Sequence, residues 1–240
     1  MKLKYSIESK IFPSMGDATG KLGYDDCFDH FMDTSSEHAA DLGAGIDDLA
    51  ARNQMWIMAK NKVVFVRRPQ IGENVVFSTW MEKNPGSRCE RCCGLEAGDE
   101  ILAYSKAEWV VFNYVEKRVV DISELYPGEY NYRDERFPKI TFTKMNYTFP
   151  DEPFAAYKIN ANDIDFGGHM NNVAYIRALE SLYTTEEWNE LSPSAIEIQY
   201  KNPSYEGETL EFRKITEGDS LIVKGSVGER TSVYYKLTLK

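Results

Sequence analysis

The sequence predicts an α+β fold made twice on one plan: a strand, a long helix, then an antiparallel sheet. Three observations carry this. Apolar residues within 25–42 and 172–188 recur at intervals of three and four, the period of one buried helix face. After each of these stretches the period changes to that of strands punctuated by Gly- and Pro-bearing turns. The elements come in the same order on both sides of a proline-rich middle, which points to a duplication. The first copy is expected over 1–126, a linker over 127–153, and the second copy over 154–240.

In the first copy, Tyr5 and Ile7 alternate with polar residues as in a strand, and a glycine-rich turn covers 15–20. The helix over 25–42 carries Phe28, Phe31, Met32, Ala39 and Leu42 on one stripe, and Gly43 is a fitting stop. A second short helix is expected over 46–52. Strands follow at 56–66, 74–80, 88–95 and 101–114, with turns at 69–73, at Asn84-Pro85-Gly86-Ser87 and at Ala97-Gly98-Asp99. The middle holds Pro127, Gly128, Pro138, Pro150 and Pro153, and leaves 140–145 open as an added strand. The second copy reads as a strand at 157–160, a helix at 172–188, a strand at 195–200, a turn at 203–208, and strands at 209–214, 221–228 and 232–239.

The repeat leaves traces in the letters. Asp17-Ala18-Thr19-Gly20-Lys21 precedes the first helix as Asp165-Phe166-Gly167-Gly168-His169 precedes the second, and Pro69…Gly72-Glu73 parallels Pro203…Gly207-Glu208. The copies differ chemically at one place. Lysine is nearly all charged at neutral pH, whereas histidine exchanges protons there, so a single reactive centre belongs with His169 rather than Lys21.

A balance of 28 basic to 38 acidic residues gives a net charge of −10, which argues against nucleic-acid or anionic-membrane binding. Neither a signal peptide nor a run of about 20 apolar residues is seen, so no membrane span is expected. Cys89-Glu90-Arg91-Cys92 is formally a CxxC, but it lacks a second pair or a nearby His, and on a strand its cysteines face opposite ways. Reduced thiols and a cytoplasmic location follow. With no phosphate-cradling loop or metal-ligand cluster, no cofactor and no metal are expected.

The stretch 162–180 concentrates the chemistry. Asp163 and Asp165 are followed by Gly167-Gly168, by His169, and by Asn171 and Asn172 at the start of a helix whose buried stripe is Val173, Ile176, Leu179 and Tyr183. An Asp-x-x-x-His on a loop is commonly an Asx turn beside a surface histidine. Together with the N–H groups and positive pole of a helix N-terminus, the same pair can make a hydrolytic site.

The run from Asp163 to Ile176 resembles the D-x-D-x-N-x-H-[VM]-N-N-x-x-Y-[IL] signature of acyl-ACP thioesterases. Glu37-His38-Ala39-Ala40-Asp41-Leu42-Gly43, Trp56, Pro69-x-x-Gly72-Glu73, Ser78-Thr79-Trp80 and Tyr200-Lys201…Gly207-Glu208 resemble further segments of that family. The resemblance implies a double hotdog fold and hydrolysis of acyl–acyl-carrier-protein thioesters to free fatty acid and holo-carrier. It places Asp165 and His169 as catalytic and the N–H groups at Asn171 and Asn172 as oxyanion donors. The family's Asn is replaced by Gly167, and the plant members' Glu and Cys by Pro203 and Ser204; Glu197, Asn202 or Glu206 are candidate substitutes. By family analogy Phe28, Phe31, Met32, Trp56, Ile57 and Met58 line the acyl pocket, with plain core as the competing role. Lys60, Lys62, Arg67 and Arg68, with no acid among them, form a candidate docking patch for acidic acyl carrier protein. Two hotdogs in one chain imply a monomer as pseudo-dimer, or a homodimer. The competing functions are an acyl-CoA thioesterase on the same fold and a non-catalytic acyl-binding protein.

Overall fold

The computed structural model describes residues 3–82, 86–126 and 132–239. The expected turn residues Asn84 and Pro85 and the start of the connection at Pro127 and Gly128 lie outside the described residues. The chain divides into two compact units, Met1–Ile140 and Thr141–Lys240.

In the first unit, β1 (Lys4–Lys10), β2 (Gln54–Phe65), β3 (Asn74–Glu82), β4 (Cys89–Ala97) and β5 (Glu100–Asn113) form an antiparallel sheet in the order β1-β3-β4-β5-β2. Helix α1 (Tyr24–Asp41) packs on β1, β3 and β4. Its buried stripe is Tyr24, Cys27, Phe28, Phe31, Thr34, Ser35, His38 and Ala39, while Met32 and Leu42 stay half-exposed at its margin. Phe28 and Phe31 are 1% and 2% exposed and each contributes about 2 kcal/mol by burial. Thr34 and Ser35 enter the stripe because their hydroxyls donate back to the carbonyls of His30 and Phe31, both at 2.7 Å. Gly43 ends the helix at φ +73°, with its N–H on Ala40 O and that of Ala44 on Ala39 O.

The short helix α2 (Ile46–Ala50) forms as expected. Two elements had no counterpart in the sequence reading: β6 (Arg118–Val120), paired to β5, and α3 (Ile122–Leu125), capped by the Asp121 carboxylate at 2.9 Å from Ser123 N. The alternation on β4 sends Cys89 to the cluster of Met81 and Val111, and Cys92 to that of Trp80 and Phe137. All four cysteines are free and buried.

The second unit repeats the order. Strands β7 (Ala155–Lys158), β8 (Ala195–Tyr200), β9 (Thr209–Glu217), β10 (Ser220–Val227) and β11 (Arg230–Thr238) lie as β8-β11-β10-β9-β7. The single helix expected over 172–188 is two, α4 (Ala174–Glu180) and α5 (Thr185–Leu191). The break is a capping box: the Thr184 hydroxyl accepts from Glu187 N at 3.3 Å, and the Glu187 carboxylate accepts from Thr184 N at 2.7 Å. Val173, Ile176 and Leu179 are buried as the period required, with Tyr183 half-buried in the intervening turn. No strand forms at 140–145; instead Thr143 is tied to β8 by side chains, its N and Oγ1 donating to Glu197 at 2.8 and 3.0 Å. Among the described residues no helix is long and apolar enough to cross a membrane.

Candidate active site

The loop ahead of α4 is fixed before it reaches its reactive groups. Asn160 caps a single 3-10 turn, Ala161–Asp163, and the Asp163 carboxylate accepts from Asn160 N at 2.9 Å and from Tyr157 Oη at 2.9 and 3.1 Å. Asp163 is 6% exposed, so the first acid of the pair is a brace. The chain then doubles back: Asp165 N donates to His169 O and Gly168 N to Asp165 O, both at 3.0 Å. Gly168 sits at φ +75°, where a Cβ is strained. Asp165 Oδ1 accepts from Gly167 N at 2.8 Å, an Asx turn.

This turn leaves the Asp165 carboxylate 3.7 Å from His169 Nδ1, with the side chains 19% and 36% exposed. Gly167 lies between them. A Cβ there would stand 3.0 Å from Asp165 Oδ1 and 3.1 Å from His169 Nε2, so glycine leaves the acid and the imidazole facing each other with little room for a third side chain.

The first unit holds the same loop. Asp17 N donates to Lys21 O and Gly20 N to Asp17 O, Gly20 has φ +72°, and Asp17 Oδ1 accepts from Thr19 N at 2.8 Å. The neighbouring turns also match: Leu22 N binds Pro69 O as Met170 N binds Ser204 O, and Gly72 N binds Ile11 O as Gly207 N binds Ile159 O. These bonds correct the register read from the letters. Pro69 corresponds to Ser204, and Arg68 to Pro203. Arg68 Nη1 pairs with Asp17 and donates to Leu22 O at 3.0 Å, while its guanidinium stacks on Tyr24. Burial works to raise the Asp17 pKa, but bonds from Thr19 and Arg68 and the Arg68 charge prevail and hold it below the usual value. In the second unit Pro203 offers no cation, and among the described residues Asp165 pairs with no Lys or Arg. One loop is clamped; its copy is open.

The structure revises several other assignments. Asn171 N is committed to Asp163 O at 2.7 Å and its Oδ1 accepts from Val173 N at 2.8 Å, so its amide is no oxyanion donor. Asn172 N has no acceptor among the described residues, and its carbonyl is held by Tyr200 Oη at 2.9 Å. Glu197 is 1% exposed and takes bonds from Thr143 and from Gln199 Nε2 at 2.8 Å, which occupies it structurally. Asn202 Nδ2 donates to Thr231 O, and Glu206 stands exposed on the turn after Ser204. Ser204 is wholly buried with its Oγ 2.9 Å from Ser232 Oγ.

Phe28, Phe31 and Met58 are buried core, with Phe31 edge-on to Phe77. Trp56 donates Nε1 to Ala44 O at 2.9 Å, and Ile57 is 41% exposed. A small cavity of the first unit is lined instead by Trp80, Cys92, Tyr104, Arg133, Phe137 and Ile140, among others. Three of the four cations of the expected docking patch have acidic partners. Arg67 is forked between Glu73 and Glu100 at 2.8 and 2.5 Å, Arg68 holds Asp17, and Lys60 lies 3.5 Å from Glu108. Lys62 lies on β2. No group of three or more His, Cys, Asp or Glu able to hold a metal occurs among the described residues.

Models of the acyl-ACP thioesterase N-terminal and C-terminal domains match residues 2–130 and 150–236. An oleoyl-acyl carrier protein thioesterase of Coriandrum sativum is 25% identical over 179 residues, 65% of this chain and 48% of its own length. A palmitoyl-acyl carrier protein thioesterase of Arabidopsis thaliana is 27% identical over 211 residues, 80% of this chain and 47% of its own. The chain thus spans about half the length of the curated relatives it matches. Among solved structures, an acyl-ACP thioesterase from Bacteroides thetaiotaomicron gives a TM-score of 0.87 at 20% identity, covering 99% of this chain and 98% of that one. A 12:0-ACP thioesterase from Umbellularia californica gives 0.78 at 15% identity, covering 100% and 98%. The double hotdog fold is shared with both.

Proposed function

Because the chain belongs to the acyl-ACP thioesterase family, we propose that it hydrolyses acyl–acyl-carrier-protein thioesters to free fatty acid and holo-carrier, as a step that ends acyl-chain synthesis. The observation that carries this is the Asp165–His169 pair at 3.7 Å on a loop that has lost the cation its twin retains.

Asp165 takes a proton from water as the water oxygen bonds to the thioester carbonyl carbon. His169 orients that water. The carbonyl oxygen gains charge against the N–H of Asn172, at the start of α4; one such donor typically contributes ~3–4 kcal/mol. Collapse of the tetrahedral species breaks the C–S bond, and the thiolate leaves and collects the proton held by Asp165. A thiolate is a good leaving group, so base and oxyanion stabilisation matter more than acid assistance. The four free, buried thiols support a reducing, cytoplasmic setting.

Asp165→Asn is expected to lower turnover of acyl-carrier protein by roughly 10²–10⁴-fold with an unchanged melting temperature. Full activity in that variant removes Asp165 from the role of base. Binding of acyl thioester with no turnover by the native chain would identify a non-catalytic acyl-binding protein instead.

A further inference from the structure

The twin loops differ in one more respect. In the first unit, the loop and the turn beside it are joined by two backbone rungs flanking the Lys21–Gln70 bridge: Leu22 N to Pro69 O at 2.9 Å and Ile71 N to Gly20 O at 3.0 Å. The second unit keeps only the first, Met170 N to Ser204 O at 2.8 Å. The residues that correspond to Ile71 and Gly20 are Glu206 and Gly168, and among the described residues Glu206 N and Gly168 O are not joined. Both residues are exposed.

The turns themselves have not changed. Glu73 N binds Gln70 O and Glu208 N binds Tyr205 O, with Gly72 and Gly207 at φ +93° and +84°. The ladder therefore lacks a single rung, next to His169, and among the described residues Glu206 N has no acceptor and Gly168 O no donor. Two exposed aromatic residues lie within two positions of the gap in sequence, Phe166 at 83% and Tyr205 at 45%.

We infer that this open rung is the seat of a secondary amide of the substrate's pantetheine arm. The inference rests on the thioesterase reading above and names the part of the substrate that the site grips. A trans amide points its N–H and C=O in opposite directions within its plane, so one amide can donate to Gly168 O and accept from Glu206 N, as an added residue of a strand would. The arm is common to acyl-carrier protein and acyl-CoA; the amide, not the carrier, is recognised here.

Glu206 is the second residue of a four-residue turn whose third residue is a glycine at positive φ, the position where proline is favoured. Glu206→Pro deletes the N–H and leaves the turn. Expected is a rise in KM of roughly 3- to 10-fold, the worth of one hydrogen bond, for acyl-carrier protein, acyl-CoA and acyl-N-acetylcysteamine alike. An acyl thioester of 2-mercaptoethanol, which has no amide, should be unaffected. An equal change in all substrates, no change in any, or a change confined to acyl-carrier protein overturns the inference. Should Glu206→Pro not fold, the native protein is compared on acyl-N-acetylcysteamine and on the matching 2-mercaptoethyl acetate thioester, whose ester oxygen replaces the N–H. Equal KM values then overturn it. If the native protein turns over no thioester, calorimetry with an S-alkyl N-acetylcysteamine thioether separates the two readings. Binding weakened by Glu206→Pro keeps the amide seat while hydrolysis is lost as a function; binding unaffected by it, or none, removes the amide seat.

Discussion

Pro203→Arg tests whether the proposed hydrolysis depends on the absence of a cation beside Asp165. Pro203 is exposed, so the change buries nothing, and the loss of a proline costs about 0.4–1 kcal/mol of stability. By the twin's geometry the new guanidinium reaches the Asp165 carboxylate and Met170 O, as Arg68 reaches Asp17 and Leu22 O. It would compete there with His169 Nδ1, which lies 3.4 Å from Met170 O. Two unit charges about 4 Å apart interact by about 1 kcal/mol in water and about 4 kcal/mol at an effective dielectric of 20. Asp165 keeps 19% of its side chain in solvent, which places the effect near the lower end, about 1–2 kcal/mol. A carboxylate so stabilised resists taking a proton. If half of that cost is felt in the transition state, kcat falls by about 2- to 5-fold from basicity alone, before any displacement of the attacking water. The acid limb of the kcat/KM profile, followed by thiol release from acyl-N-acetylcysteamine, moves to lower pH by about one unit. Pro203→Gln is the neutral control and should move neither. An acid limb that stays in place in Pro203→Arg, with kcat unchanged, refutes the reasoning.

Two further outcomes follow from the same contacts. Asp17 is held below the usual carboxylate range by Thr19 and Arg68 against the pull of burial, and Asp134 by Arg136 first, with burial opposing and Lys4 assisting. Folded-state pKa values below the unfolded ones give stability that is present above pH ~4 and lost as pH falls through the folded values. The melting temperature should therefore drop between pH 5 and pH 2, and Arg68→Met should flatten that drop; an unchanged pH dependence in Arg68→Met would show the clamp to be idle. Phe166→Ser should leave the melting temperature unchanged, because the ring is 83% exposed and the twin loop folds with Ala18 there. The same variant should raise KM for acyl-carrier protein about 3-fold or more if the ring contacts substrate, and an unchanged KM disposes of that contact.

Much of the fold was legible because its signals are local and apolar. Val173, Ile176 and Leu179 announce α4, and Gly43 announces the end of α1, through period and backbone freedom alone. What escaped was polar or distant. Thr34, Ser35 and His38 look like surface residues, yet the two hydroxyls satisfy themselves on the helix's own carbonyls and all three are buried. The helix break at Thr184 was readable as T-x-x-E, a capping box masked by an apolar period that runs through it. Arg68 looked free because its acid, Asp17, lies 51 positions away, and Arg67 because one of its two acids, Glu100, lies 33 away while the other, Glu73, is brought to it by the turn between them. The Asp165–His169 pair was legible as spacing, but the commitment of Asn171 N to Asp163 O was not, since nothing in the letters shows which amides a loop consumes.

Comparing the twin loops separates what the fold requires from what a site requires. Both copies keep the glycine at positive φ and the backbone bonds that close the loop, so these belong to folding. Among the differences between the copies are Ala18 to Phe166, Thr19 to Gly167, Lys21 to His169, Arg68 to Pro203, and the lost rung between Glu206 and Gly168. Two of these, at Gly167 and Pro203, remove a partner from Asp165, and the unmade rung leaves polar backbone groups beside it. Thr19 and Arg68 bind Asp17, and their counterparts have no side-chain donor to give. The second copy has thus given up stabilising contacts at one loop while the first, clamped by Arg68 and closed by Ile71, retains them. If catalysis did not need that release, the same loop with its clamp would serve equally well in both units, and the Pro203→Arg chain would hydrolyse thioesters as fast as the native one.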